Sequence, residues 1–408
     1  MKRRHLHILL GTGSALLLLA AAAFAIAYWT GGQIPVGEGF AVFADSARAR
    51  LGLQPRGAMP DTAALADTAS TEAEPTDTLT THDDRDVPEY LNRLTAQAPA
   101  RKAGRGIIIV GTGQDVRAMM VYGGGPNSGI PYATAANKYK TALGSGVSVY
   151  CMVIPTAAAF YCPESMQGYS HAQLPTIRNV YAHLDPDVQA VDVYTPLGQH
   201  AAEHIYLRTD HHWTPLGAYY AAERFAKLAG VPYPPLEEYK ADTIRRIVGS
   251  MYTFTKAAEL RAAPEDFIYY LPRNVEYQAT FIDYMVDKDG KVTGETAPHA
   301  GRFFARYKDG SGGAYCTLMG GDMKTVKIRT STPSNRRLMI IKDSFGNAIP
   351  AHLFHSFEEV HVVDFRYFTK NMVRYVRENG ITDVLFACNI FNVCSPSFDK
   401  KCEQLLTQ

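Results

Sequence analysis

The stretch Leu338-Met339-Ile340-Ile341-Lys342-Asp343-Ser344-Phe345-Gly346-Asn347 is a short apolar run that ends on a charged pair, a serine and a turn. Four apolar residues without polar alternation are the pattern of a strand covered on both faces. Gly346 and Asn347 permit a sharp turn into a helix-like segment from Ala348 to Phe357. In open α/β sheets ligands bind at the carboxyl ends of strands, and a serine placed there has its own backbone N–H available for a developing oxyanion. A strand-end serine is also a common helix N-cap. Ser344 gains meaning as a nucleophile only if a base and an acid stand elsewhere in the chain.

Both stand together upstream, in Thr209-Asp210-His211-His212-Trp213-Thr214-Pro215-Leu216-Gly217. Thr209 and Asp210 end a predicted strand and Thr214-Pro215 opens a helix, so Asp210 to Trp213 form a tight loop. A carboxylate two positions from an imidazole reaches its ring nitrogen when such a loop curls, fixing the tautomer and stabilising the imidazolium. On this reading His212 is the base on Ser344, Asp210 orients it, His211 points to backbone or substrate, and Trp213 packs under the loop. Two other readings stay open: a structural polar knot at a helix start, and a metal site drawing on His204, Asp210, His211 and His212. Adjacent histidines do not give a standard zinc spacing, so no metal and no cofactor is expected.

Outward from these two motifs, apolar runs alternate with helical patterns. Expected strands are Gly106 to Val110, Val147 to Ile154, Val188 to Val193, His204 to Leu207, Leu338 to Ile341, Val360 to Val363 and Asp383 to Ala387. Expected helices are Tyr132 to Leu143, Gln173 to His183, Thr214 to Ala229 and Lys370 to Glu378. The alternation predicts an α/β fold, a three-layer α/β/α sandwich with a mostly parallel sheet. Tyr233 to Thr330 breaks the rhythm and reads as an inserted mixed α+β segment walling the substrate cleft. Within it, Asp287-Lys288-Asp289-Gly290-Lys291 reads as a hairpin turn.

The N-terminus differs from the rest. Lys2, Arg3 and Arg4 precede an uncharged, Leu- and Ala-rich stretch from Ile8 to Trp29. About twenty apolar residues cross a bilayer core, with the positive flank on the cytoplasmic side. Residues 1–30 are therefore read as a signal anchor, with cleavage at Ala23-Phe24-Ala25 as the alternative. Either reading places the catalytic part outside the cytoplasm. Residues 31–105 are rich in Ala, Thr, Asp and Pro and read as a disordered tether. The remaining 106–408 form the catalytic domain. A formal charge of +1 over 408 residues gives no reason to expect nucleic acid as a partner. The six cysteines permit disulfides without giving their pairing: Cys394 and Cys402 bracket a short loop, and Cys151 and Cys388 fit equally as buried hydrophobes.

Asp210-His211-His212-Trp213 followed by Thr214-Pro215-Leu216-Gly217-Ala218-Tyr219 resembles the signature of the DHHW family of exported bacterial proteins. That family is similar to the periplasmic alginate O-acetyltransferase proteins and belongs with SGNH hydrolase-like folds. Further matching elements are Pro155-Thr156, Gly249-Ser250-Met251-Tyr252, Gly320-Gly321-Asp322, Lys342-Asp343-Ser344-Phe345 and Asp364-Phe365-Arg366-Tyr367-Phe368, in family order from about Gly106 to Phe391. The resemblance implies Ser344 as nucleophile with Asp210 and His212, in an order reversed from ordinary SGNH enzymes. It also implies an oxyanion role for the Ser344 backbone, and substrate or oxyanion roles among Arg366, Asn389, His211 and Gly321. The chain departs from the usual Gly-Asp-Ser block in having Lys342 where the glycine belongs.

Together these readings point to serine-dependent acyl transfer on an extracytoplasmic glycan, as an O-acetyltransferase or O-acetylesterase. The resemblance further implies a glycan substrate and a membrane partner supplying the acyl group. The alternative is a non-catalytic glycan-binding or assembly protein that keeps the fold. An aromatic content of 11% suits sugar stacking and an ordinary core alike, so it does not choose between them.

Overall fold

The computed structural model describes residues 84–408. The expected membrane segment, and the expected tether as far as residue 83, lie outside them. In chain order the described strands and longer helices are β1 (Ala100–Lys102), β2 (Ile107–Val110), β3 (Arg117–Met120), α1 (Ile130–Leu143), β4 (Ser148–Ile154), α2 (Leu174–Ala182), β5 (Val188–Val191), α3 (Pro215–Ala229), β6 (Tyr239–Ile247) and β7 (Glu265–Pro272). There follow β8 (Tyr277–Val286), β9 (Val292–Glu295), β10 (His299–Gly301), β11 (Lys324–Thr330), β12 (Arg337–Lys342), β13 (Glu359–Asp364), α4 (Met372–Glu378), β14 (Asp383–Asn389) and α5 (Pro396–Thr407). Among the described residues no helix is long and apolar enough to cross a membrane.

The main sheet runs β10-β8-β11-β13-β12-β14-β4-β5, with β9 also paired to β8. The central strand β12 is parallel to β13 on one side and to β14 on the other. With Leu338 to Ile341 fully buried, it has no solvent face that would call for polar alternation. Tyr150 of β4 lies opposite Leu385 of β14, and Cys151 lies opposite Phe386, so the two pairs project to opposite faces. On one face the Tyr150 ring meets Phe225 of α3 at 5.1 Å. On the other, Phe386 meets Tyr139 of α1 at 5.1 Å and Tyr132 at 6.0 Å. Helices thus cover both faces of this parallel part.

The sheet as a whole is mixed, which corrects the expectation of a mostly parallel one. β8 and β11 pair with each other and β11 pairs with β13, all antiparallel, and β10 and β9 extend that edge. The segment expected as an insertion therefore continues the main sheet, and within it only β6 and β7 form a two-stranded antiparallel sheet of their own. Its Asp287-to-Lys291 turn is a hairpin, closed by Asp287 N–H donating to Lys291 O at 2.9 Å.

Four local expectations also change. Ile107–Val110 is a strand, but of a separate antiparallel sheet, β1-β2-β3. His204 to Leu207 forms no strand, only a bridge between Tyr206 and Trp213. Its carbonyls are consumed locally, His204 O by the Thr214 hydroxyl at 2.7 Å and Ile205 O by the Thr214 amide at 2.9 Å. The expected helix after Ser344 is two 3₁₀ turns, Ser344–Ala348 and Pro350–Leu353, because Pro350 has no N–H with which to continue the first. Finally, residues 84–105 are folded against the domain. The Arg85 guanidinium donates to the carbonyls of Tyr181, Leu184, Asp185 and Val188 at 2.9–3.1 Å, and Asp84 pairs with Arg224 of α3.

Candidate active site

Ser344 stands at the carboxyl end of β12 as the first residue of a 3₁₀ turn, where its N–H has no intrahelical acceptor. The turn is held from beneath by buried Asp343. One Asp343 oxygen accepts from the Phe345 amide at 2.9 Å, and the other from Asn389 N and Nδ2, both at 2.8 Å, and from Asn392 Nδ2 at 2.9 Å. Burial pushes the Asp343 carboxyl upward even against these donors. Gly346 packs onto Lys342 so tightly that a β-carbon there would lie 2.4 Å from Lys342 Cβ, so no larger residue fits the turn at this point.

The Asp210 loop meets this turn. Asp210 Oδ1 accepts from His212 Nδ1 at 2.7 Å, and His212 Nε2 lies 2.9 Å from Ser344 Oγ. A carboxylate only accepts, so Nδ1 carries the proton and the Nε2 lone pair faces the serine hydroxyl. The second Asp210 oxygen accepts from the Ser250 amide at 2.8 Å. Burial alone would raise this carboxyl; the His211 and His212 imidazoles and the Ser250 amide overcome that and hold it well below the usual range. At pH 7 Asp210 is a carboxylate, as an orienting acid must be.

His211 is the outer histidine, its side chain a quarter exposed. Its ring lies 3.8 Å from that of His212, and Nδ1 lies 2.7 Å from Ser250 Oγ. Burial and the neighbouring His212 push its pKa down to about 4, so it is neutral at neutral pH. Asp210, His211 and His212 bring ligand-type atoms within 4.8 Å of one another. Both nitrogens of His212 and both oxygens of Asp210 already have protein partners, so a metal there would compete with the Asp210-His212-Ser344 contacts.

The loop is anchored by residues that sequence reasoning did not single out. Buried Glu265 on β7 accepts from the Thr209 amide and hydroxyl, both at 2.6 Å, from the Arg208 amide at 2.8 Å and from His204 Nε2 at 2.9 Å. Burial works against this carboxylate, and His204 with the other donors nevertheless lowers its pKa. Nothing in the local sequence around Glu265 signals the role, since its partners lie more than fifty positions upstream. Tyr315 stacks on His212 with ring centroids 3.8 Å apart and planes 5° from parallel, while its hydroxyl donates to Ser344 O at 3.0 Å and Phe345 O at 2.9 Å. Trp213 Nε1 donates to the same Phe345 carbonyl at 2.9 Å, under the loop as expected.

The remaining candidates fall outside the Asp210-His212-Ser344 line. Arg366 is committed to Asp364 through Nε and NH2 at 2.8 and 2.7 Å, and to Asp322 at 2.8 Å. Lys342, wholly buried, joins the same cluster with Nζ 2.9 Å from Asp364 and 3.5 Å from Asp322. Asp322 also accepts from Asn347 Nδ2 at 2.7 Å; its cationic neighbours Lys342 and Arg366 override burial and hold its carboxyl well below the ordinary range. Gly321 precedes it, buried, with φ +108°. Asn389 is one of the residues to which the resemblance gives a substrate or oxyanion role. Its Nδ2 is instead given to Asp343, and its Oδ1 caps the turn that follows by accepting from the Phe391 and Asn392 amides. None of the six cysteines is paired, and Cys151 and Cys388 are buried within strands.

No curated protein matches the chain in sequence. Among solved structures, a DHHW family protein from Eubacterium siraeum is 37% identical, with a TM-score of 0.67 over 79% of this chain and 100% of that one. Bacillus cereus PatB1 is 19% identical, with a TM-score of 0.55 over 74% of this chain and 99% of its own, and PatB1 with a sulfonyl adduct gives 18% and 0.54 over 74% and 97%. The last two show a shared fold. The DHHW protein family itself matches residues 122–363, a span that holds Asp210, His212 and Ser344 together, and the chain belongs to the DHHW family.

Proposed function

We propose that the protein catalyses serine-dependent acyl transfer on an extracytoplasmic glycan, moving O-acetyl groups through an acyl-enzyme on Ser344. The observation that carries the reading is the line Asp210 Oδ1, His212 Nδ1, His212 Nε2, Ser344 Oγ, with contacts of 2.7 and 2.9 Å. A glycan-binding module gains nothing from a serine hydroxyl aimed at an imidazole that is itself oriented by a buried carboxylate.

In the reaction, Ser344 Oγ attacks the ester carbonyl and its proton passes to His212 Nε2. The imidazolium is stabilised by Asp210, and the oxyanion receives the Ser344 amide. Collapse expels the alkoxide of the donor, which takes the proton from His212. A sugar hydroxyl, or water, then gives its proton to His212 and attacks the acyl-enzyme, and Ser344 recovers the proton as it leaves. Transfer to sugar makes an O-acetyltransferase and transfer to water an esterase. A membrane partner supplies the acyl group, and the N-terminal segment keeps the domain at the envelope.

Mass spectrometry after incubation with a chromogenic acetyl ester tests this. An acetyl adduct on Ser344, absent from Ser344→Ala, is the expected result, and added oligosaccharides sort transfer from hydrolysis. Ester cleavage that survives Ser344→Ala at the wild-type rate would sink the reading.

A further inference from the structure

Base and nucleophile come from segments far apart in the chain, His212 from the loop before α3 and Ser344 from the turn after β12. One side chain touches both. The Tyr315 ring lies flat on the His212 imidazole at 3.8 Å, and its hydroxyl reaches the carbonyl of Ser344 at 3.0 Å and that of Phe345 at 2.9 Å. The residue is only 6% exposed, so these contacts have little water to compete with.

Each contact removes a particular freedom. A ring parallel to the imidazole leaves it no room to tilt about the Asp210 bond, which fixes the direction of the Nε2 lone pair. The hydroxyl pins the peptide after Ser344 at its carbonyl, while Asp343 pins the same peptide at the Phe345 N–H. With that peptide fixed at both ends, the backbone of Ser344 cannot rock, and Oγ keeps its distance from Nε2. Asp210 and Asp343 each order one partner; Tyr315 orders one against the other.

We propose that Tyr315 is a positioning residue for the acylation step, holding the plane of the His212 imidazole and the backbone of Ser344 in one register so that proton transfer and attack occur in line. The proposal rests on the acyl-transfer reading above. Misplacement of a reacting group by about an ångström costs roughly 10²-fold in rate, so loss of the clamp should appear in kcat and leave KM nearly alone.

Two variants divide its parts. Tyr315→Phe keeps the stack and loses the hydroxyl, so Ser344 O and Phe345 O both lose the Tyr315 donor while Phe345 O keeps Trp213. Tyr315→Leu loses both. Pre-steady-state acylation by p-nitrophenyl acetate, with mass spectrometry locating the acetyl group on Ser344, is compared with thermal melting. The expected result is a fall in the acylation rate of roughly tenfold for Phe and 10²-fold for Leu, with KM within about twofold of wild type. Phe267→Leu is the control: its ring packs edge-on to Tyr315 at 6.3 Å, and no ring contact joins it to His212. If Phe267→Leu lowers the melting temperature as much as the Tyr315 variants and slows acylation equally, the effect is general loosening and the inference fails. It fails also if both Tyr315 variants acylate at the wild-type rate. Should Tyr315→Leu not fold, the Phe variant decides alone. If wild type itself forms no Ser344 adduct, the acyl-transfer reading falls first, and the outcomes remain distinct.

Discussion

A β-carbon on Gly249 would lie 2.5 Å from Asp210 Cβ and 2.7 Å from its Oδ2. The backbone that presents the Ser250 amide is thus pressed directly against the carboxylate it serves, and no side chain fits between. Gly249→Ala must displace one of them. Its kcat/KM on an acetyl ester should fall by roughly 10²-fold, with a lower melting temperature. Wild-type turnover would show that the Ser250 loop, and not Asp210, gives way.

The roles of the two histidines are separable by substitution. His212→Gln and Ser344→Ala should each abolish acyl-enzyme formation, and Asp210→Asn should cost about 10⁴-fold by favouring the wrong tautomer. His211→Gln should leave most activity, since its Nδ1 bonds Ser250 and not Ser344. Loss in the His211 variant with retention in His212→Gln, read by steady-state kinetics, would exchange their roles.

Acid should unfold the protein through buried neutral histidines. His352 donates from Nε2 to Pro215 O at 3.0 Å while its buried Nδ1 has no protein partner, and burial pushes its pKa down to about 3. His211 lies at about 4. The unfolded chain takes up these protons near pH 6.5, before the native state does. Stability is therefore full above that pH and is lost as pH falls from about 6.5 towards 4, by about 1.4 kcal/mol per pH unit for each histidine. His352→Gln should flatten the slope in urea titrations between pH 6.5 and 4.5.

Lys342 shows what a buried charge costs when stranded. Replacing it with Met leaves Asp322 and Asp364 with Arg366 as their remaining cationic partner in this cluster, and should destabilise the fold by roughly 3–5 kcal/mol in equilibrium unfolding. Adding Asp364→Asn should restore part of the loss. If Lys342→Met melts like wild type, the cluster does not depend on its ammonium group.

The N-terminal boundary is also testable. A chain starting at residue 84 keeps the Arg85 bonds and strand β1, whereas one starting at 106 loses both. The shorter chain should melt several degrees lower, and Arg85→Ala in the longer chain should reproduce part of that drop. Equal melting temperatures would mean that residues 84–105 ride on the domain without holding it.

The parallel centre was legible because a strand buried on both faces leaves an unbroken apolar run, as at Leu338 to Ile341. Helix α3 announced itself through Thr214 and Pro215. The antiparallel edge was not legible: β8 alternates exposed and buried residues between mixed neighbours, and nothing local says that it pairs with β11, some fifty positions on. In the site, Asp210, His212 and Ser344 were marked by residue type and by their place at element ends. Glu265 and Tyr315 were not, because their meaning lies wholly in contacts made across the chain. Asn389 was ambiguous in the sequence, since its strand-end position fits a substrate contact and a cap equally, and its amide is taken up by Asp343 and by the turn that follows.

Ser344 follows His212 by 132 positions. A ribosome therefore completes Asp210 and His212 before it adds Ser344, and adds later still the strand β14 whose Asn389 braces Asp343. At no stage of synthesis does the growing chain carry this serine without the histidine that faces its hydroxyl already made, and the turn beneath the serine is locked only when the last of the described strands is in place.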